Sequence, residues 1–108
     1  MLRIDARNIV DAPSFHAEFS AAFGFPAFYG RNMDAWIDCL SDFDEPGNGM
    51  TKVSVPTGQA LALIIDHASD FKRRCPELYA NLLECAAFVN WRRVEAGQPA
   101  ILALALHG

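Results

Sequence analysis

The chain has 108 residues, 52% of them hydrophobic and 20% charged, which is room for one domain (1–108) with a real core; two enzymatic domains and a disordered chain are both excluded. Nine lysines and arginines against thirteen aspartates and glutamates leave a formal charge of −4. That balance repels a phosphate backbone unless the cations cluster, so direct nucleic-acid binding is not expected.

Near the start, Leu2, Ile4 and Ala6 alternate with Arg3 and Asp5, the period of a strand with one face more buried than the other. Asp11 or Ser14 then caps a helix whose Phe15, Phe19, Ala22 and Phe23 form one apolar stripe, ended by Gly24. Residues 24–32, GFPAFYGRN, combine two glycines and a proline with aromatic side chains and read as an ordered loop between helices. Asn32 is the expected N-cap of a second helix over 33–43, with Met33, Trp36, Ile37, Leu40 and Phe43 facing the core. Residues 44–49 close it. The segment 50–55 has strand-like composition but is stopped by Pro56, Thr57 and Gly58, which predicts a short edge strand or an ordered loop. Residues 60–65 are a continuous apolar run that suits a strand covered on both faces. Ser69 is placed to cap a short helix through Cys75, and Pro76 to open a long one with Leu78, Leu82, Cys85, Ala86 and Val89 at helical spacing, stopped by Gly97. Arg92 and Arg93 fall near its carboxyl end, where the macrodipole favours cations. Residues 100–106 form the last strand. Strands separated by helices pair in parallel through right-handed crossovers, so the expected architecture is a small α/β sandwich.

Cys39, Cys75 and Cys85 are an odd number without a C-x-x-C pair, which predicts buried reduced thiols rather than a disulfide framework or a zinc site. The amino terminus carries charges where a signal peptide needs an unbroken apolar stretch, and the run 100–106 is too short to span a bilayer. A cytoplasmic protein without a membrane segment is expected.

The second helix and its loop carry the chemistry. Asp34, Asp38 and Asp42 lie at i, i+4 and i+8, an acidic ridge facing solvent opposite Trp36 and Leu40. Each neighbouring pair of like charges costs a few tenths of a kcal/mol, and only Asp34 is close enough to the amino end to gain from the dipole. Stability alone does not account for the ridge, although any amphipathic helix needs a polar outer face. Phe28 and Tyr29 beside Gly30 put aromatic residues on a loop next to charged ones, as protein interfaces do; pinning of at least one ring to the core is the plain alternative. His16, His67 and His107 have no motif context, and no P-loop, G-x-G-x-x-G, H-E-x-x-H or G-x-S-x-G occurs, so no catalytic residue and no cofactor is expected. Two aspartates on one exposed helix face rarely complete a cation's oxygen shell, so no metal site is expected.

The segment 25–43, FPAFYGRNMDAWIDCLSDF, resembles the barstar family of small intracellular inhibitors of guanyl-specific secreted ribonucleases such as barnase. The resemblance lies in the loop, the tyrosine-glycine pair, the asparagine cap, Asp34, Trp36 and the triplet Asp38, Cys39 and Leu40. It implies a three-stranded parallel sheet packed against about four helices, with 44–59 as an addition. It also implies inhibition by plugging: the helix and loop enter a cationic nuclease cleft, where carboxylates take the place of substrate phosphates. Carried over by position, Phe28 replaces a loop tyrosine, Tyr29, Gly30 and Arg31 continue the binding loop, and Asn32 starts the helix. Asp34 and Asp38 reach the enzyme's cations, with Asp38 the anchor. Ile37 and Phe43 stand where the defining inhibitor has tryptophans, and Asp42 where it has glycine, so the contact surface is remodelled. An acidic position of the last helix falls near Arg92, with Glu95 one turn away. Two further readings use the same residues: an adaptor or immunity-type protein for a different basic partner, and a small enzyme pairing Asp34 or Asp38 with a histidine.

Overall fold

A computed structural model describes residues 1–44 and 49–108. Its sheet has three parallel strands in the order β1 (Leu2–Asp5), β2 (Leu61–Asp66) and β3 (Leu102–His107), with Leu2, Leu63 and Leu104 in register. Parallel neighbours cannot be joined by a tight hairpin. Helices α1 (Ala12–Phe23) and α2 (Met33–Leu40) therefore separate the first two strands, and α3 (Ala68–Arg74) and α4 (Pro76–Glu95) the last two.

One row of the sheet, Ile4, Leu61, Leu63, Ile65 and Leu102, is buried in a core shared with Phe15, Phe19, Phe23, Trp36, Leu40, Phe43, Phe71, Leu82 and Val89. The other row is open: Arg3, Ala62, Ala103, Ala105 and His107 are exposed, and Ile64 is half-buried between Arg3 and Ala105. β2 is thus covered on one face rather than both. Alanine and flanking charge suffice on the open side, which is why an unbroken apolar run misreads it.

Helix α1 opens on a capping box between Asp11 and Ser14 and ends at Gly24, whose φ of +69° suits glycine. The backbone N–H groups of Lys52 and Val53 both donate to the Phe23 carbonyl, at 2.8 and 3.2 Å. A Cβ on Gly24 would stand 2.7 Å from Lys52 Cβ, so a side chain is excluded there twice, by conformation and by space. The segment 50–55 is consequently a loop, docked on the carboxyl end of α1 with Met50, Val53 and Val55 half-buried against the core. Of the expected closing segment 44–49, residues 45–48 lie outside the described residues.

Three boundaries differ from the periodicity. Helix α2 stops at Leu40 instead of continuing to Phe43, with Ser41 as its C-cap. There the Arg93 side chain reaches in from α4, donating through Nη1 to the Ser41 carbonyl at 2.8 Å and pairing with Asp44 at 2.7 Å. Helix α3 starts at Ala68, behind His67 in the left-handed region at φ +59°, and is not capped by the Ser69 side chain. β3 begins at Leu102 because Asn90 of α4 ties its approach: its Oδ1 accepts from Ile101 N and Leu102 N, both at 3.0 Å, and its Nδ2 donates to the Leu102 carbonyl. Arg93, expected near the carboxyl end of the long helix where the macrodipole favours a cation, does lie in its last turn, but it is 3% exposed and paired with Asp44. Of the three thiols only Cys39 is buried; Cys75 and Cys85 are half-buried, and all three are free. No helix among the described residues is long and apolar enough to cross a membrane.

Candidate functional site

Helix α2 is placed by its cap and by its apolar side. The Asn32 Oδ1 accepts from Ala35 N at 2.8 Å, and its Nδ2 donates to the Gly30 carbonyl at 3.3 Å, so this side chain holds the loop to the helix. Arg31, just before it, sits at φ +54°, a conformation a non-glycine residue holds only when its surroundings impose it. Trp36, Cys39 and Leu40 are buried, Trp36 lying edge-on to Phe19 with centroids 5.7 Å apart. With that side fixed to the core, Asp34 and Asp38, one turn apart, point outward.

Both carboxylates are exposed. Asp34 carries no hydrogen bond or ion pair among the described residues, and it lies close enough to Cys85 of α4 to raise that thiol's pKa, after burial and Glu84. Asp38 is 66% exposed, with Arg92 Nη1 of α4 at 3.5 Å from its Oδ1. A pair that open to solvent is worth about 0–1 kcal/mol, so a partner's cation can displace it cheaply.

Asp42 is not part of the same ridge. It follows the end of α2, and its carboxylate stands 3.8 Å from the buried Arg93 guanidinium. The i, i+4, i+8 series breaks because the helix ends at Leu40, leaving two aspartates on the helix and one in the turn.

The loop sorts its aromatic residues sharply. Phe28 is 75% exposed, with Gly30 and Arg31 exposed beside it. Tyr29 is 8% exposed: its ring packs 4.6 Å from that of Phe25 and its hydroxyl hydrogen-bonds His16 Nδ1 at 2.5 Å. Phe43 is wholly buried, 5.9 Å from Phe23. As side chains, Tyr29 and Phe43 are therefore core residues, a correction to their expected place on the contact surface; Ile37 is half-buried at its edge.

Burial, with Asp38 nearby, pushes the Cys39 thiol up. Burial lowers the pKa of His16 and raises that of Tyr29, so both favour their neutral forms. His107 Nδ1 lies 3.0 Å from Asp66, at the far end of the sheet. The histidine-aspartate pairing that an enzyme on α2 would need is absent among the described residues, where no group of three or more metal-ligating side chains is found either. What the site offers is two outward carboxylates on a rigid short helix, next to an exposed phenylalanine.

A family model described as barstar (barnase inhibitor) matches residues 1–104. The chain belongs to the barstar family. No curated protein matches it. The matched span takes in the whole of α1, the loop, α2 and α4, so the barstar-like α/β fold and the acidic helix fall within one family assignment.

Phe88 and Trp91 on α4 were not singled out by sequence reasoning, yet they are 44% and 57% exposed. A signal was available: both lie off the stripe of Leu82, Ala86 and Val89, where an amphipathic helix would ordinarily carry polar residues.

Proposed function

We propose that this protein is a non-catalytic inhibitor of a basic guanyl-specific ribonuclease, acting in the cytoplasm of the cell it protects by filling the enzyme's active-site cleft with α2 and the loop before it. The observation that carries this reading is the pair Asp34 and Asp38, exposed one turn apart on a helix whose other side is fixed in the core. Membership of a family described as barnase inhibitors supports it. Carboxylates are bidentate acceptors for guanidinium groups, and such pairs gain strength as water leaves them. Asp38 is the anchor, Asp34 the second anion, and Phe28 with Gly30 and Arg31 the flanking loop contact. Ile37 is an apolar contact at the helix edge, while Asn32 serves by holding the loop geometry.

A second reading keeps the surface and changes the partner: an adaptor or immunity-type protein for some other basic protein. Arg92 beside Asp38 favours it, because a cation at that place meets a uniformly basic cleft as a like charge.

The test is inhibition of a panel of guanyl-specific ribonucleases, barnase among them, by the wild type and by Asp38→Ala. Truncating one partner of a desolvated charge pair costs about 2–5 kcal/mol, a general range to which barnase with its own inhibitor contributes. An affinity loss of roughly 30-fold or more is expected for Asp38→Ala with the circular dichroism spectrum unchanged. Equal inhibition by both proteins removes Asp38 as anchor, and failure to bind any member of the panel leaves the adaptor reading ahead.

A further inference from the structure

We propose that the face of α4 formed by Phe88, Trp91 and Arg92 is the second half of the partner's footprint, and that the fitting partner sets a carboxylate against Arg92 and an apolar side chain against Trp91, beside the basic residues that take Asp34 and Asp38. This rests on the reading of α2 given above and names the chemistry of the partner surface more closely.

Asp38, Arg92, Phe88 and Trp91 form one continuous strip. Arg92 Nη1 is 3.5 Å from Asp38 of α2, its guanidinium lies 5.8 Å from the Phe88 ring centroid, and the Phe88 and Trp91 rings are 5.8 Å apart, inclined at 33°. The core-facing side of α4 is already supplied by Leu82, Ala86 and Val89. The fold does not require two large aromatic rings in water at positions 88 and 91, where polar residues would serve the helix equally. Tryptophan and arginine are enriched where proteins meet, and rings of this size bring most of their apolar area to a contact at little cost in side-chain entropy.

Charge complementarity selects the occupant. In the free protein Arg92 partly neutralises Asp38. When a partner's cation takes Asp38, Arg92 is left at the edge of a drying contact without its acceptor, and an uncompensated charge there opposes binding. A carboxylate on the partner, one residue's width from its cation, gives Arg92 a new acceptor and turns the penalty into selectivity, because partners lacking that acid meet a like charge. The partner surface therefore alternates: cations over α2, an acid over Arg92, an apolar group over Trp91.

The experiment uses the intact protein and the same ribonuclease panel, with dissociation constants measured on the member bound most tightly for wild type, Asp38→Ala, Trp91→Ala, Arg92→Ala and Arg92→Glu. Trp91 and Arg92 are exposed, so these variants keep the fold, which circular dichroism checks. Trp91→Ala is expected to weaken binding by about 10-fold or more, and Arg92→Glu to weaken it further than Arg92→Ala does. Tighter or unchanged binding by Arg92→Glu overturns the proposal, as does wild-type affinity in Trp91→Ala. Loss in Asp38→Ala with no loss in the α4 variants defeats this inference and leaves the inhibitor reading standing; no loss in Asp38→Ala, or no enzyme bound, defeats both. Sedimentation of the wild type and Trp91→Ala gives an independent check: a dimer that Trp91→Ala dissociates assigns the face to a second copy of this chain and overturns the proposal.

Discussion

Phe28 and Tyr29 are adjacent in the chain and opposite in fate, and the difference is decided by His16. The Tyr29 hydroxyl needs an acceptor or donor once its ring is buried on Phe25, and His16, one helix away, supplies it. Nothing in the spacing of the loop marks which ring turns inward, because the deciding partner lies 13 residues upstream. The pairing has a pH signature. His16 is held below its ordinary value of 6.5 mainly by burial, with Arg31 contributing. The unfolded chain therefore binds the proton first as pH falls, and the stability due to neutral His16, complete above about pH 6.5, is lost as pH drops through its folded-state value. Asp5 and Asp66, both held at about 2 by hydrogen bonds from Arg7 and Arg3 respectively, lose their share only in far more acid solution. Urea denaturation at pH 7.5 and pH 5 is expected to give a lower unfolding free energy at pH 5, by less than about 1.4 kcal/mol for each unit of pH. His16→Gln should flatten that slope while Tyr29→Phe retains it. A wild-type profile that is level between these two pH values contradicts the assignment.

Helix α2 shows what periodicity can and cannot reach. Its start was legible from Asn32, because capping is a local hydrogen bond between a side chain and a backbone N–H three residues on. Its end was not, because Phe43 falls at helical spacing from Leu40 and Trp36 and is buried as the pattern requires, only from a turn instead of a helix. The cause is Arg93, which takes the Ser41 carbonyl and both oxygens of Asp44, the second at 3.1 Å through Nη1, and donates through Nε to the Pro99 carbonyl at 2.8 Å. The Asp44 carboxylate also accepts from Gly58 N at 3.3 Å. Thus the ends of α2 and α4, the loop at 57–58 and the approach to β3 meet on one buried ion pair. Removing a single partner strands a charge in the interior, which costs about 3–5 kcal/mol, whereas exchanging both for apolar groups does not. Asp44→Ala is expected to lower the unfolding free energy by that amount in a urea titration, and the double variant Arg93→Met with Asp44→Leu to lose less than Asp44→Ala alone. A loss under about 1 kcal/mol in Asp44→Ala would show that the pair does not organise this junction.

For the molecule as a whole, the order of strands and helices was readable because each element carries its own local period, and parallel pairing followed from the lengths of the connections. The single-sided burial of the sheet was not, since a run such as 60–65 looks alike whether or not a helix covers its second face; only the exposure of Ala62, Ala103 and Ala105 separates the two. The same holds for the site: the aspartates were visible in the sequence, but the neighbour that partly screens one of them, Arg92, is brought in by the packing of α4 against α2. Net charge acts at this largest scale. A chain of formal charge −4 approaching a basic enzyme is attracted over distances longer than any contact, and the attraction is screened within a Debye length, about 10 Å at 0.1 M salt and about 3 Å at 1 M. Charge pairs that become buried on docking would be screened by salt much less. Stopped-flow association with an inhibited ribonuclease should therefore slow by about 10-fold or more between roughly 0.05 and 1 M salt, with the dissociation rate nearly constant. An association rate indifferent to salt would mean that the partner is not recognised through its positive charge, and the carboxylates of α2 would then need another explanation.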